Sequence, residues 1–169
     1  MPRIDEIDRR TDVVFILFYF GKTVRGVTKV QKLLFLIEQE SRFFENYEQE
    51  VSFNFAPYKM GPFSENVYEE LQFLMQLDAI EAEDISNPTG MDALKADLTN
   101  KKFEITPKGE KIASQLVEIL EPEHRNELED MIQEYNKMTL QDLLRYVYQE
   151  YPDFATESKI KQDLFAEGD

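Results

Sequence analysis

Hydrophobic and polar positions along the chain change period several times, and each change marks an element. Val13 to Phe20 is apolar throughout, too dense for a one-sided helix. Residues 7 to 20 are therefore expected to form a first helix buried on several sides, broken by a turn between Gly21 and Gly26. Val30, Leu33, Leu34 and Ile37 then fall at i, i+3, i+4 and i+7, one face of a second helix starting at Thr28. Thr28 and Gln31 stand at capping-box spacing. Val51, Phe53 and Phe55 alternate with Ser52 and Asn54, the period of a half-buried strand that ends by Pro57. Beyond the Gly61-Pro62 break, Ser64 is placed to cap a third helix ending near Leu77, with Val67, Tyr68, Leu71, Leu74 and Met75 on one face.

Ile80 to Glu83 and Lys102 to Ile105 are short strand candidates for a hairpin, separated by the Asn87-Pro88-Thr89-Gly90 turn and a polar stretch. The second strand runs straight into Thr106, an N-cap with Pro107 at the first helical position, and Ile112, Leu116 and Ile119 follow on a helix face. From Pro122 onward two helical stripes appear: Leu128, Met131, Ile132 and Tyr135, then Leu140, Leu143, Leu144, Val147 and Tyr148, the second capped by Thr139 and Asp142. This order predicts a mostly α, α+β protein. Its core is a winged-helix-like domain over residues 1–120, with an inserted strand and a small β-hairpin wing. A helical C-terminal extension over 121–154 and a flexible tail over 155–169 complete the expectation.

Composition narrows the function classes. At 169 residues, 42% apolar and 12% aromatic, the chain can bury a real core. It has no cysteine, which removes disulfides, thiolate chemistry and cysteine zinc sites. The eight-residue apolar run is far below the roughly 20 residues of a membrane span. Asp5, Glu6 and Asp8 do not suit a targeting segment, so a cytoplasmic location without membrane contact is expected. The net charge is −15; residues 1–60 carry nine basic and nine acidic residues, so the acidic excess falls in 61–169.

That charge repels nucleic acid. The third helix, which would enter the major groove in a winged-helix regulator, has no Lys or Arg from Ser64 to Leu77 and shows Glu65, Glu69, Glu70 and Gln72 on its polar side. Arg9, Arg10, Lys22, Arg25, Lys29 and Lys32 offer a small alternative patch, and Lys95, Lys101 and Lys102 the hint of a basic wing. A DNA-binding regulator is thus the second reading. Catalysis finds less support: Gly21-Lys22-Thr23 resembles the end of a phosphate loop, but Ile16 stands where its first glycine belongs. His124, the single histidine, reads as a surface residue without a nucleophile motif nearby. Glu65/Glu69 and Glu127/Asp130 read as solvated helix faces. No enzyme, cofactor or metal is expected.

Two segments carry a family resemblance. Val30-Gln31-Lys32-Leu33-Leu34-Phe35 and Tyr58-Lys59-Met60-Gly61-Pro62-Phe63, the latter followed by Val67-Tyr68, resemble the Panacea-domain family of SocA-like antitoxins and phage-associated proteins. The likeness covers roughly residues 10–115 and extends to Leu143–Pro152; Met60 stands where the family usually has an aromatic. It implies a non-enzymatic protein-binding module that neutralises a toxin or hands one to a protease. With the acidic charge, it makes a basic toxin the expected partner, and a homodimer is compatible. The candidate partner-binding residues are Gln31, Lys32, Tyr58, Gly61, Pro62, Tyr68 and Phe73. Each also has a structural reading: Gln31 caps its helix, Lys32 extends its stem to water, and Gly61-Pro62 sets the third helix. Phe73 falls off the apolar face and is covered either by other helices of the chain or by a partner.

Overall fold

A computed structural model describes residues 10–43, 52–58, 61–84 and 101–155. The architecture is the expected mostly helical α+β one. Helix α1 (Arg10–Gly21) buries Val13 to Phe18 and Phe20. A helix apolar on all sides needs cover on all sides. It receives it from the later helices Glu65–Gln76, Pro107–Ile119 and Pro122–Lys137 and from the sheet. The expected start at residue 7 lies outside the described residues.

Between the two glycines the sequence suggested only a turn, but Thr23–Arg25 forms a short strand, β1, antiparallel to β5 (Lys101–Ile105). Three residues are too few for alternation to register as a pattern. Val24 sits opposite Phe103 and both are fully buried. Helix α2 (Val27–Glu40) starts one residue earlier than expected, with Gly26 at the N-cap and no side-chain cap. The capping box is therefore absent. Gly26 instead turns its amide to Lys101 O at 2.8 Å, extending the sheet contact.

The alternation at residues 51–55 also misplaced a strand. Val51 lies outside the described residues, and residues 52–55 form no ladder, with Asn54 turned into the left-handed region at φ 57°. Phe53 is buried and Phe55 half-buried, so the alternation recorded burial, while the ladder begins downstream. There β2 (Ala56–Tyr58) pairs antiparallel with β3 (Gly61–Phe63) in a separate two-stranded ribbon, Tyr58 opposite Gly61. Strand β3 delivers the chain to Ser64, whose side chain accepts from Asn66 N at 3.2 Å and caps α3 (Glu65–Gln76) as expected. Strand β4 (Ile80–Asp84) and β5 form the expected hairpin, giving the sheet order β1-β5-β4. The Asn87-to-Gly90 turn between them lies outside the described residues.

Thr106 ends β5 and caps α4 (Pro107–Ile119), accepting from Gly109 N at 3.0 Å and donating to Asp78 O at 2.6 Å. Gly109 is required here: a Cβ would stand 2.1 Å from Ala79 O. Helices α5 (Pro122–Lys137) and α6 (Leu140–Glu150) follow, then a 3-10 turn at Pro152–Ala155. Thr139 caps α6 by accepting from Asp142 N at 3.1 Å. Both helices pack on α2, and α5 also packs on α1, so the C-terminal helices close the same core. The tail after residue 155 lies outside the described residues.

Candidate functional site

The two sequence segments meet through α2. Gln31 is buried, and its amide makes two bonds to one residue: Nε2 donates to Ser64 O at 2.9 Å and Ser64 N donates to Oε1 at 3.0 Å. A side-chain amide here substitutes for a strand partner at the junction of β3 and α3. Ser64 is held further, since its hydroxyl donates to Phe53 O. Gln31 is thus occupied with α3, not with capping its own helix.

Lys32 does not reach water. It is 1% exposed, and its Nζ donates to Pro62 O at 2.8 Å. Burial disfavours the ammonium and pushes its pKa down to about 7. The lysine stem and the ring of Tyr148 from α6 enclose Gly61. A Cβ there would stand 2.8 Å from Tyr148 Cε1 and 3.3 Å from Lys32 Cε, and its φ of +89° is one that only glycine adopts without strain. Gln31, Lys32, Gly61, Pro62 and Tyr148 therefore form one buried lock that fixes the β2–β3 ribbon to α2 and α6. Tyr148 entered the sequence reading only as a stripe residue, and its burial was the signal.

On the outside of this lock lies an aromatic row. Tyr58 is 46% exposed, its ring 4.9 Å from that of Phe63, and Phe63 is 5.6 Å from Tyr68 on α3. Partial burial and then the nearby Tyr58 phenol raise the Tyr68 hydroxyl pKa, which places the two hydroxyls in one field. Phe73 is 43% exposed, so the other described helices do not cover it. Five residues at about 100° each put it roughly 140° around α3 from Tyr68. Gln72, Glu65 and Glu69, all exposed, occupy the arc between them. Tyr58 and Tyr68 are brought together, and Phe73 is not part of their row.

A second cluster was not anticipated. Glu40, at the end of α2, accepts from Tyr135 at 2.5 Å through Oε1, and from Tyr146 at 2.7 Å and Tyr151 at 2.6 Å through Oε2. Desolvation, then the hydrogen bonds to Glu40, raise the pKa of Tyr135 and Tyr151; desolvation leads the rise at Tyr146 as well. The carboxylate ties α2, α5, α6 and the residue after α6 together. No sequence spacing links position 40 to positions 135, 146 and 151.

The remaining candidates settle elsewhere. His124 is not a surface residue: its side chain is 12% exposed, set edge-on against Phe43, with Nδ1 buried and without a hydrogen-bond partner. Glu65, Glu69 and Asp130 are exposed, whereas Glu127 binds Arg42 N at 2.8 Å. Glu70 is half-buried, not exposed, because Thr11 and Arg10 of α1 reach it. Lys22 pairs with Glu110 and Lys29 bonds Asn136 O, so several cations of the alternative basic patch are already engaged. Among the described residues no three His, Cys, Asp or Glu side chains gather to hold a metal ion, and no helix is long and apolar enough to cross a membrane.

The model of one family, described as antitoxin SocA-like, Panacea domain, matches residues 30–152, well over half the chain. The match begins at Val30, first residue of the Gln31-Lys32 segment, and runs past Tyr148 to Pro152, so it spans the whole lock. No curated protein and no solved structure matches the chain.

Proposed function

We propose that this chain, which belongs to the antitoxin SocA-like, Panacea-domain family, is a non-enzymatic cytoplasmic binding protein that neutralises a basic toxin or hands it to a protease. The observation that carries the reading is the aromatic row Tyr58–Phe63–Tyr68, exposed at Tyr58 and half-buried at Phe63 and Tyr68, held by a buried lock formed from the two segments that resemble the family. Exposed aromatics set on a rigid support are what binding hot spots are made of. Gln31, Lys32, Gly61 and Pro62 serve this surface from beneath by fixing the ribbon that presents Tyr58. Phe73 is a separate anchor on the other flank of α3. The test is co-expression with candidate toxins, beginning with any short open reading frame that neighbours the gene. Growth restored, with the two proteins eluting together, is the expected result; unrelieved toxicity with the two proteins eluting apart sinks the reading.

One observation favours a second reading. We read the succession α1-β1-α2-α3 followed by the β4–β5 hairpin as the element order expected of a winged-helix DNA-binding regulator. The helix that would enter the groove carries Glu65 and Glu69 outward and no cation from Ser64 to Leu77. Titration with duplex DNA at about 150 mM salt is expected to give no nanomolar binding, and a nanomolar isotherm would move the regulator to first place.

A further inference from the structure

We infer that the Tyr58–Phe63–Tyr68 row is a docking surface for a cationic, partly apolar segment of a partner protein, an arginine- or lysine-bearing helix or loop, rather than for a second copy of this chain. The inference rests on the binding reading above and gives it a chemistry. Three rings in sequence, with centroid spacings of 4.9 and 5.6 Å, offer π-faces and apolar area on a surface where Tyr58 is 46% exposed. Such faces attract guanidinium and ammonium groups and also accept the aliphatic stems that carry them.

The charge around the row points the same way. Glu65 stands three residues before Tyr68 and Glu69 directly after it, both exposed, and Gln72 follows one turn on. Between Phe53 and Gln76 the sequence has one cation, Lys59, against Glu65, Glu69 and Glu70. A second copy would bring the same carboxylates, and a net charge of −15, against themselves. A cationic segment meets no such opposition: its apolar residues cover the rings while its charges reach the rim.

The test uses the full chain and a synthetic amphipathic helical peptide bearing arginine and leucine on adjacent positions. Two control peptides replace arginine by glutamate, or leucine by serine at unchanged charge. Saturable binding of the first peptide at about 150 mM salt, with amide shifts centred on residues 58–72, is expected. Tyr58→Ala should weaken it about tenfold. Glu65→Gln with Glu69→Gln should weaken it a few-fold and flatten its salt dependence. Equal binding of the serine control, indifference to Tyr58→Ala, or self-association through the row in place of peptide binding overturns the inference. The co-expressed toxin separates the two readings. A toxin bound by the wild type and equally well by Tyr58→Ala removes this inference and leaves the function; a toxin not bound at all removes the function, whatever the peptide does.

Discussion

The two ends of α2 solve the same problem in opposite ways. Near its start, Gln31 and Lys32 are taken out of water and satisfied by backbone atoms of one short stretch, Pro62 to Ser64. At its end, Glu40 stays half-buried and is satisfied by three phenols from two other helices and the residue that follows them. A side chain bonded to backbone is indifferent to what side chains its partner carries, but it demands that the backbone come close. A side chain bonded to side chains makes no demand on close approach, but it needs every partner residue to be the right one. The first arrangement should therefore fail through geometry and the second through chemistry.

Gly61→Ala is the sharpest way to break the first end, and the largest effect expected. The methyl group meets both a strained φ of +89° and the Tyr148 ring at 2.8 Å. Strain and overpacking at about 1–3 kcal/mol each give an expected loss of about 2–6 kcal/mol in chemical unfolding. Relief by Tyr148→Ala in the double variant would identify the ring as the obstacle. A Gly61→Ala protein as stable as wild type would show that the ribbon does not need its close approach.

Glu40→Ala is the matching break at the other end. It strands three hydroxyls that now donate to a carboxylate. Bonds to a charged group are worth about 1.5–3 kcal/mol each, and water reaches a half-buried site, so the expected loss is about 2–4 kcal/mol. Glu40→Gln should recover part of it, because one acceptor oxygen remains. Identical losses for the two substitutions would mean that packing, not hydrogen bonding, holds this end.

The same contrast explains what could be read in the sequence. Gln31-Lys32 and Gly61-Pro62 each lie in one short contiguous segment that resembles a known family, so the segments stood out in the sequence, although the close approach that Gly61 serves did not. What they do did not: the amide partner of Gln31 is 33 residues away and nothing local distinguishes it from a cap. Glu40 and its tyrosines, separated by 95 to 111 positions, leave no periodic trace at all. The helices and the hairpin were legible because Ser64, Thr106 and Thr139 cap as their neighbours suggest. β1 and the β2–β3 ribbon, each strand only three residues long, were not. The place of Phe73 off the apolar face was legible, but whether the rest of the chain covers it was not, and its separation from Tyr58 required knowing which flank of α3 the ribbon approaches.

Titration should separate the two ends further. Lys32, with its pKa lowered to about 7, binds no proton in the folded chain above that pH, while the unfolded chain keeps one up to about 10.4. Stability should therefore rise with pH between those values, at a slope approaching about 1.4 kcal/mol per unit for this one proton. The raised tyrosines act in reverse: stability held by their neutral hydroxyls is present below about pH 10 and is lost as pH climbs beyond it. Lys32→Met should flatten the rise and leave the alkaline fall intact. Parallel pH profiles for the two proteins would exclude a buried, neutralised Lys32.

Tyr151→Phe is the smallest expected effect and tests whether the Glu40 cluster behaves as a unit. The ring itself should stay, because it packs edge-on against Phe35 at 5.1 Å. Only one hydroxyl is lost, and Tyr146 still donates to the same carboxylate oxygen at 2.7 Å. Glu40 is then left with Tyr135 and Tyr146 on its two oxygens and with water free to approach from the vacated side. A loss of about 0.5–1.5 kcal/mol is expected, at the level of an ordinary hydrogen bond rather than of a stranded charge. Combined with Glu40→Gln, the two losses should fall short of adding, since both act on the same contact. Strict additivity would mean that the Tyr151 hydroxyl acts independently of Glu40, and that the cluster at the end of α2 is two phenols and a carboxylate rather than three.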